Sequence, residues 1–182
     1  MQAKLNTLIF YGPTGNGLPP EKLGGGERGC QRTMAIYANL GVQVIVIEKP
    51  NLGRGKIAFL KSFLITPFFF IRQLVRHPKS PVHIVGFYEN QLYYEFLIFS
   101  LSKLFGRKVT YELRNGTMVK TISKHSRLYQ MAMRSIVEHS VVVLCQGKEY
   151  VDYIQTHWKA RTIYYPNYVM SNIIRLYNER EA

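Results

Sequence analysis

The feature that most constrains this chain is the alternation of two periodicities along nearly its whole length. Short apolar runs, several of them rich in β-branched residues, stand at Leu5–Gly12, Val42–Lys49, Val82–Phe87, Lys108–Leu113, Val141–Cys145 and Thr162–Tyr165. Between them lie five stretches with helical spacing: "CQRTMAIYANLG" ending at Gly41, then Ile57–Arg76, Gln91–Gly106, Lys120–His139 and Lys148–Trp158. Short apolar runs bounded by turn residues read as buried strands, and Gly41 reads as a helix-terminating glycine. Strict alternation of strand and helix implies right-handed crossovers. It predicts an α/β fold: a Rossmann-like parallel sheet of about six or seven strands with helices on both faces. In such sheets ligands bind beyond the carboxyl ends of the strands, where the strand order reverses. The strand-to-helix connections are therefore the candidate functional segments: residues 12–29, 48–56, 87–91, 114–119 and 146–147.

Composition narrows the classes. A chain of 182 residues, 47% hydrophobic, can bury one sizeable core, and one domain is the expectation. A formal net charge of +13 implies an acidic partner: a phosphorylated ligand, an anionic lipid surface or nucleic acid. No helix-turn-helix, zinc or RNP-like motif supports a basic nucleic-acid-binding module, so no nucleic acid is expected. Cys30 and Cys145 carry no metal-ligand spacing and read as buried free thiols of a reducing compartment. His125 and His139 lack a paired acid or a second ligand at metal spacing, so no metal is predicted. The N-terminal "MQAKLNTLIFYGP" has one Lys and too short an apolar run for a secretory signal. The expected location is the cytoplasm. The longest apolar region, Ile57–Val75, is interrupted by Lys61, Pro67 and Arg72, and is not read as a membrane span.

The first connection, "GPTGNGLPPEKLGGGERG", holds two glycine clusters. Gly12, Gly15 and Gly17, with Glu48 at the end of the second strand, resemble a dinucleotide fingerprint. They are the basis of an alternative reading as a NAD(P)-binding oxidoreductase or epimerase domain. That fingerprint requires the glycines to run straight into a helix, so that a pyrophosphate meets unpaired N–H groups. Here Leu18-Pro19-Pro20 follows, and residues before proline are pushed out of the helical region. Gly24, Gly25 and Gly26 are the cluster that abuts the helix. Contact with a phosphate is therefore assigned to Gly25 and Gly26, with Arg28 adding charge.

These residues also carry a family resemblance. "LIFYGPTGNGLPPEKLGGGERGCQRTMAIYANLGVQVIVIE" resembles the amino-terminal segment of the retaining GT-B glycosyltransferases of family 4, where a loop ending in Gly-Gly-x-Glu-Arg enters a helix. "KVTYELRNG" (Lys108 to Gly116) is similar to the family strand ending in an Arg-Asp or His-Gly loop, and "TIYYPNYV" (Thr162 to Val169) to its Ile-Pro-Asn-Gly-Val segment. Asn115 stands where the family often has Asp or His, and Tyr168 where it has Gly. The resemblance implies half of a GT-B fold. Residues 1–170 would form the acceptor-binding domain and 171–182 a tail or the start of a linker, with the carboxy-terminal donor-binding domain absent from these residues. It implies transfer of a sugar from a nucleotide-sugar donor to a glycan acceptor, lipid-linked in a pathway of surface polysaccharide synthesis. No tightly bound cofactor is expected. Gly25, Gly26 and Arg28 would approach the donor diphosphate; Gly15, Asn16, Glu89, Asn90 and Arg114 would face the acceptor. Arg114 and Asn115 are the catalytic candidates. A donor half brings the cations that stabilise a departing nucleotide diphosphate, so this segment alone is expected to be an incomplete or split enzyme with a donor-domain partner.

Between Glu48 and Glu89 there is no acidic residue, while basic residues recur. At about 100° per residue Arg54, Lys61, Arg72, Arg76 and Lys79 fall on one stripe if a single helix carries them, although Pro67 would break the phase. A basic, aromatic-rich amphipathic helix suits an anionic membrane surface. The expected disposition is peripheral, on the inner face of the cell membrane.

Overall fold

The computed structural model describes residues 7–50, 55–87, 91–114 and 118–166. Six parallel strands form one sheet in the order β2-β1-β3-β4-β5-β6. They are β1 Thr7–Gly12, β2 Gln43–Glu48, β3 Val82–Gly86, β4 Val109–Leu113, β5 Val142–Cys145 and β6 Thr162–Tyr164. The helices are α1 Gly25–Asn39, α2 Lys56–Arg76, α3 Leu92–Leu104, α4 Met118–Thr121, α5 Arg127–His139 and α6 Lys148–His157. The fold is α/β and Rossmann-like, as the alternation implied. Register pairs Gly12 with Glu48 on one side of β1, and Phe10 with His83 on the other.

The helices cover the two faces unequally. Alternate strand residues Ile9, Tyr11, Ile84, Tyr111 and Val143 point into the large core, which Phe70 of α2, Ile98 of α3, Met133 of α5 and Ile154 of α6 fill from outside. The opposite set, Phe10 and Val85, packs with Cys30, Met34 and Tyr37 of α1, and with Val44 and Phe87, in a much smaller cluster. Handedness accounts for this: β1 to β2 moves one way along the sheet, all later crossovers the other way, and right-handed connections then put α1 on its own face.

Two element boundaries differ from expectation. The stretch Lys120–His139 is not one helix; α4 passes into a 3-10 turn at Ile122–Lys124, and α5 starts afresh at Arg127. Ser126 is the reason, since its hydroxyl accepts from Tyr129 N at 3.3 Å and caps the new helix. Conversely, α2 runs unbroken through Pro67. Proline has no N–H for the carbonyl four residues back; the Tyr94 hydroxyl of α3 donates to that carbonyl, Phe63 O, at 2.8 Å instead.

Candidate functional site

The strand order reverses between β1 and β3, and the crevice outside their carboxyl ends is where such a sheet binds ligands. A cleft of about 200 Å³ lies there, lined by Pro13 after β1, Lys49 and Pro50 after β2, Phe87 after β3, Gly26 and Glu27 at the start of α1, and Gln91 before α3. It is smaller than the roughly 300–1,000 Å³ of the clefts and cavities that hold small-molecule ligands.

Beside this cleft α1 begins. Gly24 is its N-cap and offers no side chain to the first turn. Arg28 N reaches Gly24 O at 3.1 Å, so the N–H groups of Gly25, Gly26 and Glu27 precede the first intrahelical bond and carry the positive end of the helix dipole. A Cβ on Gly25 would meet nothing within 4 Å, whereas one on Gly26 would lie 2.8 Å from Phe87 Cζ. Gly25 thus stands open and Gly26 is a cleft wall. Arg28 is exposed and is not among the residues lining the cleft.

The first glycine cluster is folded around Glu48. One carboxylate oxygen accepts Thr14 N at 3.0 Å and Gly15 N at 3.1 Å, and the other accepts the Thr14 hydroxyl. Gly15 and Gly17 have φ of +68° and +78°, the left-handed region, and a Cβ on Gly15 would collide with Leu23 at 2.3 Å. Glu48, the acid of the dinucleotide-like pattern, is therefore occupied in shaping this loop. Gly15 is buried, its amide spent on Glu48, while Asn16 is exposed at the turn.

Arg114, expected to face the acceptor, is turned inward. Its side chain is 4% exposed. Nε donates to Glu112 at 2.6 Å, Nη1 to Gly26 O at 3.0 Å and Nη2 to Thr33 Oγ1 at 3.0 Å. The reason is steric and electrostatic together: Glu112 is a fully buried carboxylate that needs a cation, and Gly29 leaves room, since a Cβ there would sit 2.1 Å from Arg114 Nη1. His83 Nε2 lies 3.0 Å from the other Glu112 oxygen, and His83 Nδ1 is 2.8 Å from Tyr37 Oη on α1. Burial pushes the Glu112 carboxyl upward, but the hydrogen bonds and charges of His83 and Arg114 outweigh it and hold the group below its ordinary 4.5. Arg114 thereby positions the first turn of α1 and is not presented to the cleft.

A second buried pair has no motif in the sequence to announce it. Lys49 and Glu95 form a salt bridge with side chains 3% and 0% exposed. Glu95 also accepts Phe87 N at 2.9 Å and the Tyr111 hydroxyl at 2.6 Å. The pair ties the β2 and β3 ends to α3, and Lys49 is its member that lines the cleft. One signal was available: Glu95 is the single charged residue in the run "QLYYEFLIFSLS".

Glu89, Asn90, Asn115 and Arg54 lie outside the described residues. Lys61, Arg72 and Arg76 are exposed along α2; Lys79 is exposed too, but stands three residues beyond the end of that helix, in a turn, so the stripe does not continue to it. Cys30 and Cys145 are free and fully buried, and burial pushes both thiols up to about 12. Among the described residues no three His, Cys, Asp or Glu side chains converge as a metal site requires. No protein-family model, curated protein or solved structure significantly matches the chain.

Proposed function

We propose that the chain is the acceptor-binding half of a retaining GT-B-type glycosyltransferase, working with a donor-binding half on the same polypeptide or on a partner chain. The donor is a nucleotide sugar, the acceptor a glycan on a lipid carrier, and the setting surface polysaccharide synthesis at the cytoplasmic side of a membrane. No metal or tightly held cofactor enters the reading. The observation that carries it is the open first turn of α1 at the switch-point cleft. Amides of Gly25 and Gly26 precede the first helical bond there, ready for a diphosphate brought from across the cleft. The Glu27 carboxylate and Gln91 amide on the same walls are groups that bind sugar hydroxyls as acceptor and donor. The small cleft suits one wall of a site closed by a second half. The dinucleotide alternative is disfavoured by Glu48, whose oxygens are held by Thr14 and Gly15.

Amide-resolved NMR tests this. A nucleotide sugar should shift the Gly25 and Gly26 amides, a glycan acceptor should shift Phe87 and Gln91, and NADH should leave Gly15 and Gly17 unmoved. Sugar transfer from a nucleotide sugar should appear only when a donor-binding half is supplied. Saturable NADH shifts centred on Gly15 and Gly17, or robust transfer by the 182-residue chain alone, would sink the proposal.

A further inference from the structure

We propose that the outward face of α2 is a docking surface for an anionic lipid bilayer, on which the helix lies lengthwise. Most helices on the outside of a soluble domain turn charged residues to solvent. On α2 the order is inverted: Ile57, Leu60, Leu64, Phe68 and Val75 point outward, Ile57 with 79% and Phe68 with 75% of its surface exposed. At about 100° per residue these five occupy a sector of roughly 80°, and Lys61, Arg72 and Arg76 share the adjoining sector with the exposed Ile65. Exposed apolar surface on this scale marks an interaction site. Its partner is indicated by charge. The sequence has no acidic residue between Glu48 and Glu89 and carries a net charge of +13, which suits anionic headgroups around a shallowly inserted apolar strip.

Two other occupants fit less well. By length and composition alone Ile57–Arg76 could cross a membrane. Its inner face, however, is committed to the protein: Phe70 and Leu74 are fully buried in the core, Thr66 and Gln73 are buried beside them, and Tyr94 holds the Phe63 carbonyl. Withdrawal into lipid would strip all of these from the sheet. A second copy of the same face would set Lys61, Arg72 and Arg76 against their own like charges. In a parallel α/β fold the helices run against the strands, so α2 starts at the cleft end of the sheet, and docking holds the cleft mouth beside the headgroups. Docking of this kind does not require the transferase reading.

Co-sedimentation of the full chain with vesicles, without any substrate, tests it. Binding is expected to vesicles of phosphatidylcholine mixed equally with phosphatidylglycerol, to be weak to phosphatidylcholine alone, and to fall with added salt. Replacing both Lys61 and Arg72 by Gln should weaken binding about thirty-fold, at about 1 kcal/mol for each cation near the surface. Leu64→Ser with Phe68→Ser should weaken it as well while circular dichroism remains that of the parent, because both side chains are exposed. Equal binding to neutral and anionic vesicles, or none to either by a folded chain, overturns the proposal. So does a dimer in solution that the serine variants abolish, or resistance to alkaline extraction from membranes. Because no substrate is present, failure here leaves the reading of the cleft standing.

Discussion

Glycines around α1 serve two different purposes, and substitution separates them. Gly25 has open space where a Cβ would go, so Gly25→Ala should leave stability within about 0.5 kcal/mol of the parent. If its amide meets a phosphate, the same change should still weaken acceptor or diphosphate binding, because the new methyl group stands over the first turn. Gly29→Ala is the opposite case. Its Cβ would lie 2.1 Å from Arg114 Nη1, and the guanidinium is held by three bonds to Glu112, Gly26 and Thr33 and cannot swing aside freely. A loss of about 1–3 kcal/mol is expected in urea unfolding. Equal stability of the two variants would contradict the tethering of Arg114. The two glycines are indistinguishable in "GGGERG". What divides them is an arginine 85 residues away in sequence, and no local pattern predicts that approach.

At the scale of elements, the fold was legible wherever local chemistry decides and hidden wherever a distant partner does. Six strands and their order of appearance follow from apolar runs punctuated by turn residues, and the start of α1 follows from Pro19-Pro20 and the glycines after them. The break at Ser126 was also written locally, as a serine N-cap, but the apolar periodicity running past it masked the signal. The continuity of α2 through Pro67 was not legible, since it rests on Tyr94 of another helix. The same holds for Glu48 and Arg114, whose partners Thr14 and Gly26 lie 34 and 88 residues away. The Pro67 arrangement gives a double-mutant prediction. Tyr94→Phe deprives the Phe63 carbonyl of its donor and should cost about 1 kcal/mol. In a Pro67→Ala background the alanine N–H restores the helical bond, and Tyr94→Phe should cost measurably less. A coupling of at least about 0.5 kcal/mol between the two sites in urea denaturation is expected; simple additivity would refute the compensation.

The whole molecule is unevenly built, and its response to acid should reflect that. One face of the sheet carries α2, α3, α5 and α6 over the large core, while the other holds α1 through a small apolar cluster and a polar network centred on Glu112. His83 of β3 and Arg114 at the end of β4 bond that carboxylate directly, and Tyr37 of α1 joins through His83 Nδ1. Its folded-state pKa lies below the ordinary 4.5, so the unfolded chain binds the proton more readily than the folded one. The stabilisation is therefore present above 4.5 and is lost as the pH falls through the lower folded value. Other carboxylates titrate in the same window, so the measurement has to be a difference. Thermal midpoints of the parent and of Glu112→Gln, followed from neutral pH downward, should start far apart. Removing the charge leaves Arg114 buried without a counter-ion, a cost of about 3–5 kcal/mol. As the pH falls from 4.5 through the lower folded value the two curves should converge, because protonation then makes the parent carboxyl as neutral as the amide. Parallel curves would mean that Glu112 does not hold α1 to the sheet by its charge.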